Sequence, residues 1–231
     1  MRLAVIVPVL NEASTVSAAL ARLAPLRQRG ATVIAVDGGS DDGTEERARA
    51  GADHVLVAPR GRASQMNVGA RRALEGKAVD ALLFLHVDTR LPDNADESIG
   101  AACTGRPMAW GRFDVRIEGR SRALPLVAAM MNLRSRLTGM CTGDQCLFAT
   151  RALFEKVGGF PALPLMEDIE FSRRARRLAW PIALRHRAVT SGRRWERHGV
   201  VRTVLLMWRL RLAYFFGADP ARLATVYRDA R

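Results

Sequence analysis

Short apolar runs alternate with amphipathic stretches through the first hundred residues of the chain. The runs are rich in Val, Ile and Leu, and they predict buried strands at 3–9, 31–36, 53–57 and 81–86. The stretches between them predict helices, each preceded by a turn or capping residue, at 13–23, 43–50, 62–75 and 93–103. Because strands that alternate with helices build parallel sheets, the pattern predicts an α/β fold with a mostly parallel central sheet flanked by helices.

The regular alternation ends after residue 105. Two further strands are predicted at 107–118 and 145–150, with a helix between them at 121–137. Later helices are predicted at 167–178, at 199–216 and from Pro220 onward. We expect one domain over residues 1–231, divided into segments 1–105, 106–198 and a C-terminal helical extension, 199–231.

Polar residues stand where the predicted strands end. Asn11 and Glu12 follow the first strand, Asp37 follows the second, and His86 and Asp88 lie at the end of the fourth. Open α/β sheets bind ligands at the carboxyl ends of their strands. The sequence therefore predicts a ligand site at this edge.

The charge of the chain narrows the class of ligand. Lys and Arg total 36 against 23 Asp and Glu, a formal charge of +13, and most of the cations are Arg. Such a field attracts anions, and the planar guanidinium suits phosphate. Nucleotide phosphates, nucleic acid and an acidic membrane surface are all eligible on charge alone.

The cysteines and the lengths of the apolar runs indicate in which compartment of the cell the protein is expected. The three cysteines lack the paired spacing of a zinc site, and their odd number argues against a disulfide framework. We therefore expect reduced thiols at Cys103, Cys141 and Cys146. We recognise no secretory signal, and the longest apolar runs are too short to span a bilayer. A cytoplasmic protein is expected.

Three motifs resemble those of family 2 glycosyltransferases with the GT-A fold, a Rossmann-like sheet architecture. They are Val7–Glu12, Val36–Thr44 and Leu85–Thr89, in matching order and spacing. Arg60–Gly69, Gly143-Asp144-Gln145 and Met166–Glu170 also resemble the bacterial subgroup called radical-SAM/selenodomain-associated transferase 2. The resemblance implies a nucleotide-sugar half at 1–105 and an acceptor half at 106–198.

The resemblance places the nucleotide on the loops after the first two strands. The implied nucleotide-binding residues are Pro8, Asn11, Glu12, Asp37, Gly39 and Arg62. Related proteins carry an Asp pair where this chain has Asp37 followed by Gly38, which leaves the base open between the UDP and GDP types. A tight turn capped by Ser40 or Asp41 is the alternative for the Gly-rich stretch.

A divalent cation, Mg²⁺ or Mn²⁺, is the implied cofactor. Asp88 stands where the family has the second Asp of Asp-x-Asp, and His86 stands at the first position. Mg²⁺ commonly takes one or two carboxylates beside phosphates and water, so Asp88 can serve alone. A partnered, buried histidine is the alternative for His86.

The acceptor half carries the implied chemistry. Asp168 matches the general base of inverting relatives, beside Glu167. The remaining residues assigned to the acceptor are Asp144, Gln145, Arg194 and Trp195. A helix N-terminus that favours acids, and a simple turn at 143–145, are the alternatives. Ser191 replaces the Gln of the Gln-x-x-Arg-Trp motif, which argues against polymer synthesis.

These residues predict an inverting, metal-dependent glycosyltransferase of the hexosyltransferase type, using a UDP or GDP sugar. The alternatives are a sugar nucleotidyltransferase and a non-catalytic basic module that binds membrane or nucleic acid, although we do not expect a nucleic-acid partner. The 199–216 helix has apolar residues at helical spacing, interrupted by Arg: Val201, Leu205, Trp208, Leu212 and Phe215. This stripe fits either packing within the protein or its homodimer, or a peripheral contact with the inner face of the cytoplasmic membrane and a lipid-linked acceptor.

Overall fold

The computed structural model describes residues 1–75 and 78–229. Its eight strands belong to one sheet and are, in chain order, β1 Leu3–Val9, β2 Thr32–Asp37, β3 His54–Val57, β4 Ala81–Phe84, β5 Thr89–Arg90, β6 Trp110–Glu118, β7 Phe148–Thr150 and β8 Ile182–Ser191. Their spatial order is β3-β2-β1-β4-β7-β6-β8-β5. β7 and β5 run antiparallel to their neighbours, and the other pairs are parallel, which confirms the mostly parallel α/β fold.

Helices cover both faces of the sheet. Within the described residues they are α1 Val16–Ala21, α2 Ala24–Gln28, α3 Thr44–Ala48, α4 Arg62–Leu74, α5 Ala95–Cys103, α6 Leu124–Thr138, α7 Arg151–Val157, α8 Glu167–Ala175, α9 Arg193–His198, α10 Val200–Phe215 and α11 Pro220–Asp229. A 3₁₀ turn spans Gly143–Gln145. None of the described helices combines the length and the apolar character needed to cross a membrane.

β1 shows why the strands are apolar throughout. Leu3, Val5 and Val7 face one hydrophobic cluster, while Ala4 and Ile6 face the other. Alternate residues of a strand point to opposite faces, so a strand with helices on both sides buries all of them. The sheet is therefore the middle of three layers, and its exposed carboxyl edge carries the candidate site.

Several predicted boundaries differ from the structure. The strand predicted at 81–86 ends at Phe84, because Thr89 closes a turn on the carbonyl of His86 (3.0 Å). Residues 143–145 form the 3₁₀ turn, and β7 begins only at Phe148. Pro8 lies inside β1 and not on the loop after it.

Other elements were not predicted from the sequence. The stretch 13–23 contains α1 and is followed by α2, which begins at a Leu-Ala-Pro turn. The strands β5 and β8 and the helices α7 and α9 were also missed. β8 contains a register shift opposite Phe113 and Asp114 that interrupts its alternation.

Helix α4 locks the ends of β1 and β2 together. The buried amide of Gln65 donates to the carbonyls of Val9 (2.7 Å) and Val36 (2.8 Å). Gly69 lets the helix approach closely, since a Cβ there would lie 2.6 Å from Ile6 Cγ2. Asn67 exchanges hydrogen bonds with the backbone of Phe160 (2.8 and 2.9 Å). These three residues pack the helix against the sheet and against the chain at Phe160.

We predict that Gln65→Leu destabilises the fold by about 1–3 kcal/mol, because two buried carbonyls lose their donor while the volume is nearly kept. Urea unfolding monitored by circular dichroism measures the change. The control is Gln28→Leu at an exposed position of α2, expected to stay within about 0.5 kcal/mol of wild type. Equal midpoints for Gln65→Leu and wild type would contradict the assigned role.

Candidate active site

The loop after β2 is shaped by the side chain of Asp37. This carboxylate is 1% exposed and accepts from the backbone of Gly39 (3.0 Å) and Ser40 (2.8 Å) and from the Ser40 hydroxyl. Gly39 is exposed and has φ +85°, a conformation that favours glycine. Asp37 therefore organises the loop from inside, and Gly39 lies on its surface.

Hydrogen bonds join the loop after β1 to the loop after β2. The Asn11 N–H donates to Ser40 Oγ (2.9 Å), and Asn11 Oδ1 accepts from the Asp41 N–H (3.2 Å). The Glu12 N–H donates to Thr44 Oγ1 (2.7 Å). Asn11 is exposed with φ 53°, so a non-glycine residue holds a left-handed conformation at the strand end. The two loops thus form one connected rim.

The start of α3 differs from the predicted cap. Asp42, rather than Ser40 or Asp41, accepts from the Thr44 N–H (3.0 Å) and from its hydroxyl. Ser40 instead bonds to Asp37 and Asn11. The Gly-rich stretch is therefore both a helix start and part of the rim.

His86 and Asp144 form a pair across the sheet edge. His86 Nδ1 lies 3.3 Å from Asp144 Oδ1, and its ring packs on Gly143, where no Cβ would fit. Burial opposes the charge on Asp144, but the hydrogen bond to His86 and the charges of His86, Arg62 and Arg194 lower its pKa to about 2. This contact favours the partnered histidine over a metal ligand at position 86.

Asp88 lies exposed in the turn between β4 and β5. Its Oδ1 accepts a long hydrogen bond from the Thr89 hydroxyl (3.4 Å). Burial and the charges of both Asp144 and Asp88 raise the pKa of the Cys146 thiol. The carboxylate of Asp88 is accessible to a ligand.

The donor set limits what kind of metal site is possible. Among the described residues, no group of three or more His, Cys, Asp or Glu side chains is arranged to hold a metal ion. A site with one carboxylate completed by phosphate oxygens and water is compatible with the accessible Asp88. A metal site built from protein ligands alone is not compatible with the residues that the structure describes.

Two adjacent acids begin α8 in different surroundings. Asp168 is half-buried, and its oxygens accept from the Gly143 N–H (3.0 Å) and the Ile169 N–H (2.7 Å). Glu167 is buried, and burial together with the charge of Asp168 raises its pKa. Met166 caps the helix with φ 69°. The raised pKa makes the Glu167 carboxyl harder to ionise than a free glutamate.

Arg62 lies among these acids. Its Nη1 is 4.0 Å from Glu167 Oε1. Burial opposes its charge, but the negative charges of Glu167, Asp144 and Asp168 raise its pKa above the ordinary value. Because α4 begins at Arg62, the first half of the chain supplies a cation to the acids of the second half.

A small cleft lies at Glu167 and Asp168, next to Arg62 and Asp144. It is lined by Met66, Phe84, His86, Gly143, Leu147, Phe160, Glu167 and Asp168. The structure thus brings the predicted residues Arg62, His86, Asp144, Glu167 and Asp168 together. Asp37 belongs to the adjoining rim and does not line the cleft.

Other predicted acceptor residues have structural partners. Gln145 is fully buried, and its amide bonds to Thr142 (3.3 Å) and Asn132 (3.3 Å), as a turn requires. Trp195 packs against the cluster of Val115, Ile117 and Leu124. Neither side chain reaches the cleft as an exposed hydrogen-bonding or stacking group.

Arg194 contacts Tyr227, a residue that the sequence did not identify as part of the site. Its guanidinium lies 4.3 Å from the ring centroid of Tyr227 on α11. The charge of Arg194 acts on Asp144, so this pair lies close to the acids of the site. An aromatic residue in the last helix of an Arg-rich chain was the available signal.

Comparisons with known proteins bear on this geometry. Residues 4–153 match the family described as glycosyl transferase family 2. The comparison with curated proteins gave no match.

Solved structures share the fold at low identity. A TarS fragment from S. aureus in complex with UDP has TM-score 0.64 and 18% identity, covering 83% of this chain and 60% of that one. The mannosyltransferase PcManGT from Pyrobaculum calidifontis, in complex with GDP-Man and Mn²⁺, has TM-score 0.58 and 20% identity, covering 99% and 69%. Glucosyl-3-phosphoglycerate synthase from Mycobacterium tuberculosis, in complex with Mn²⁺, UDP-glucose and phosphoglyceric acid, has TM-score 0.55 and 22% identity, covering 80% and 69%.

The chain spans about three fifths of the length of the TarS fragments that it matches. The matched family residues cover more than half of the chain, and the similar structures share its curled sheet and flanking helices. The chain belongs to glycosyl transferase family 2 and has the GT-A fold.

Proposed function

We propose that this protein is an inverting glycosyltransferase that moves a hexose from a nucleoside diphosphate donor, of the UDP or GDP type, to an acceptor hydroxyl. The convergence of Arg62, Asp144, Glu167 and Asp168 on one cleft beside the β1–β2 rim carries this proposal. The UDP, UDP-GlcNAc and GDP-Man named with similar structures support a nucleotide donor. The narrower radical-SAM/selenodomain subgroup stays a prediction from motifs.

The donor would lie against residues 1–105. Three hydrogen bonds occupy most of the roughly four acceptor positions of the Asp37 carboxylate, so we assign Asp37 to shaping the rim. The exposed Asn11 and Gly39 then present the surface that meets the nucleoside. Pro8 and Glu12 hold that surface through β1 and the contact with Thr44.

The diphosphate would lie between Asp88 and Arg62. Asp88 offers the accessible carboxylate for Mg²⁺ or Mn²⁺, which when bound neutralises charge on a departing diphosphate. Arg62, whose guanidinium keeps its charge, would hold phosphate oxygens as its contacts with Glu167 and Asp144 rearrange.

Asp168 is the proposed general base. It accepts the proton of the acceptor hydroxyl as that oxygen bonds to the anomeric carbon and the bond from carbon to the diphosphate oxygen breaks. The N-terminus of α8 stabilises its negative charge. Glu167, which is buried and lies 4.0 Å from Arg62, would orient the acceptor next to the base.

A membrane surface is the proposed partner of α6 and α10. The predicted stripe is exposed, with Val201 72%, Trp208 62% and Phe215 81% exposed. A second stripe on α6 is also exposed: Leu126, Met130, Leu133 and Leu137. The two helices pack together through the cluster of Val127, Ala128, Val200 and Val204.

The positive charge of α6 and α10 favours an anionic bilayer as the partner that covers this surface. α6 and α10 together contain five Arg and no Asp or Glu, within a chain of net charge +13. Apolar stripes rich in Trp, Phe and Leu beside basic residues bind the interface of anionic membranes. Such docking would place the acceptor half next to lipid.

The donor is tested first. We predict that UDP or GDP sugars with Mn²⁺, in a panel with CDP and dTDP sugars, raise the melting temperature, because a ligand that binds the native state stabilises it. Asp88→Ala should lose the Mn²⁺-dependent part of the shift, whereas Asp93→Ala, at another exposed Asp, should keep it. No response to any nucleotide would refute the proposed function.

The base is tested in a second experiment. We predict that Asp168→Asn lowers turnover about 10²–10⁴-fold, because proton removal is lost, while the donor-induced melting shift persists. Release of nucleoside diphosphate from the selected donor, with water as acceptor, measures turnover. Glu167→Gln is the matched variant and should retain more activity, since the amide keeps the shape of a side chain assigned to orienting the acceptor, while Asp168 still removes the proton. Wild-type turnover in Asp168→Asn would remove this residue from the mechanism.

The membrane surface is tested with vesicles. We predict that the protein sediments with phosphatidylglycerol vesicles and not with phosphatidylcholine, and that the double variant Trp208→Ser and Phe215→Ser weakens binding about tenfold or more. Val57→Ser removes an equally exposed apolar residue from β3 as the control and should bind as wild type. Dimers in light scattering that the double variant abolishes, without vesicle binding, would assign the stripe to a second copy instead.

A further inference from the structure

Arg134 on α6 has a guanidinium without partners in the part of the chain that the structure describes. Its Nε and Nη2 are buried and donate to no hydrogen-bond acceptor. Arg112, the neighbouring buried arginine, differs: its Nε donates to Ser135 Oγ (2.8 Å), its Nη2 to the Asn132 carbonyl (3.0 Å) and its Nη1 to Asp114. Buried cations are normally paired, so the two free donors of Arg134 require an explanation.

The surroundings of Arg134 add positive charge rather than cancel it. Burial and the charge of Arg211 on α10 lower its pKa to about 10, against the opposing charge of Asp168. Arg134 therefore remains a cation at pH 7. Asp168 does not bond to it, because the oxygens of that carboxylate accept from Gly143 and Ile169. Two guanidinium groups thus lie near the proposed base.

The residues around Arg134 belong to the acceptor side. The charges that act on it come from Arg211, Asp168, Cys141 and Arg112, all beyond residue 105. The cation on the donor side is Arg62, which already lies among Glu167, Asp144 and Asp168. The free donors of Arg134 are therefore placed for a group on the acceptor.

We propose that Arg134 and Arg211 form a subsite for a phosphate group carried by the acceptor, next to Asp168. The inference rests on the proposed transferase function. A phosphate monoester carries nearly two negative charges at pH 7, which match two guanidinium groups better than a carboxylate does. Guanidinium groups also bind phosphate through paired, charge-assisted hydrogen bonds.

Arg134 and Arg211 belong to the two helices that bear the exposed apolar stripes. A phosphate held there can belong to a soluble phosphate ester or to the headgroup of a lipid. The chemistry that Arg134 recognises is the same in both cases, and the source is an experimental question.

The first test is calorimetric titration with inorganic phosphate at constant ionic strength set by chloride. Wild type should bind one phosphate, and Arg134→Met should weaken that binding about tenfold or more, because a charge-assisted pair is lost. Arg209→Met, at an exposed position of the same α10, should bind within about twofold of wild type. Equal phosphate binding by wild type and Arg134→Met would overturn the proposal.

The same titration is repeated with saturating UDP or GDP and Mn²⁺. Phosphate binding that persists places the subsite on the acceptor, whereas competition with the nucleotide assigns Arg134 to the donor diphosphate and overturns the proposal. Failure of the proposed function would show as no nucleotide response at all. Failure of this inference would show as phosphate binding that does not depend on Arg134.

A stability measurement separates a ligand-binding role from a structural one. Without phosphate, Arg134→Met should melt at or above the wild-type temperature, because an unpaired buried charge is replaced by an apolar chain. Arg112→Met should melt lower, because it removes a cation whose hydrogen bonds are all made. A loss of stability in Arg134→Met as large as that in Arg112→Met would show that Arg134 is structural.

The source of the phosphate is resolved with vesicles. If the phosphate belongs to a lipid, wild type should prefer phosphatidic acid, a monoester, over phosphatidylglycerol at equal surface charge, and Arg134→Met should lose that preference. If it belongs to a soluble ester, only binding of inorganic phosphate and glycerol 3-phosphate should depend on Arg134. Dependence on Arg134 in neither arm would overturn the subsite.

Discussion

The balance between Arg62 and three carboxylates is the interaction on which the candidate site depends. Glu167, Asp144 and Asp168 come from the 3₁₀ turn and α8, far along the chain from Arg62, and their negative charges all act on its guanidinium. Without that cation, three acids around one cleft would repel one another and raise one another's pKa. The hydrogen bond that the Gly143 N–H donates to Asp168 and the contact of His86 with Asp144 lie within this balanced group.

Backbone strain lies around the same cleft. Within the described residues, the non-glycine residues with positive φ are Asn11, Cys146 and Met166. Asn11 lies on the β1–β2 rim. Cys146 ends the 3₁₀ turn that carries Asp144, and Met166 begins the helix that carries Asp168. A left-handed conformation costs a non-glycine residue about 1–3 kcal/mol and persists where surrounding contacts fix it. Its concentration here fits loops whose geometry is set by the site rather than by local preference.

The sequence could predict the elements whose signal is local. Buried parallel strands such as β1 are continuous apolar runs, and the strand-end acids follow directly from them. β8 could not be found in this way. Leu184 pairs with Phe113 and Arg187 with Asp114, so Arg185 and His186 bulge out and place three exposed polar residues in a row inside the strand. Only the partner strand, 70 residues earlier, determines that conformation.

The same limit applies to the site. The resemblance to known motifs could bring Asp88, Asp144 and Asp168 to one site, although of these three only Asp88 follows a parallel strand. Motif spacing could not show that the Asp37 carboxylate bonds to its own loop, or that Gln145 is buried in a turn. Hydrogen bonds to the backbone are not visible in the pattern of residue types along the sequence. Arg134 in the apolar Leu133–Leu137 stretch was visible in the sequence, but its lack of a partner was not.

Two costly features of the protein coincide on α6 and α10. One is the set of large apolar side chains left exposed on both helices, and the other is the unpaired guanidinium of Arg134 beside Arg211. Each lowers the stability of the protein alone, and each is relieved by a different part of an amphipathic partner, the first by an apolar environment and the second by an anion. An anionic membrane supplies both at one surface, and the helix cluster that contains Met166 and Leu210 connects that surface to the start of α8. Docking and acceptor binding would then act on the same structural unit that holds Asp168.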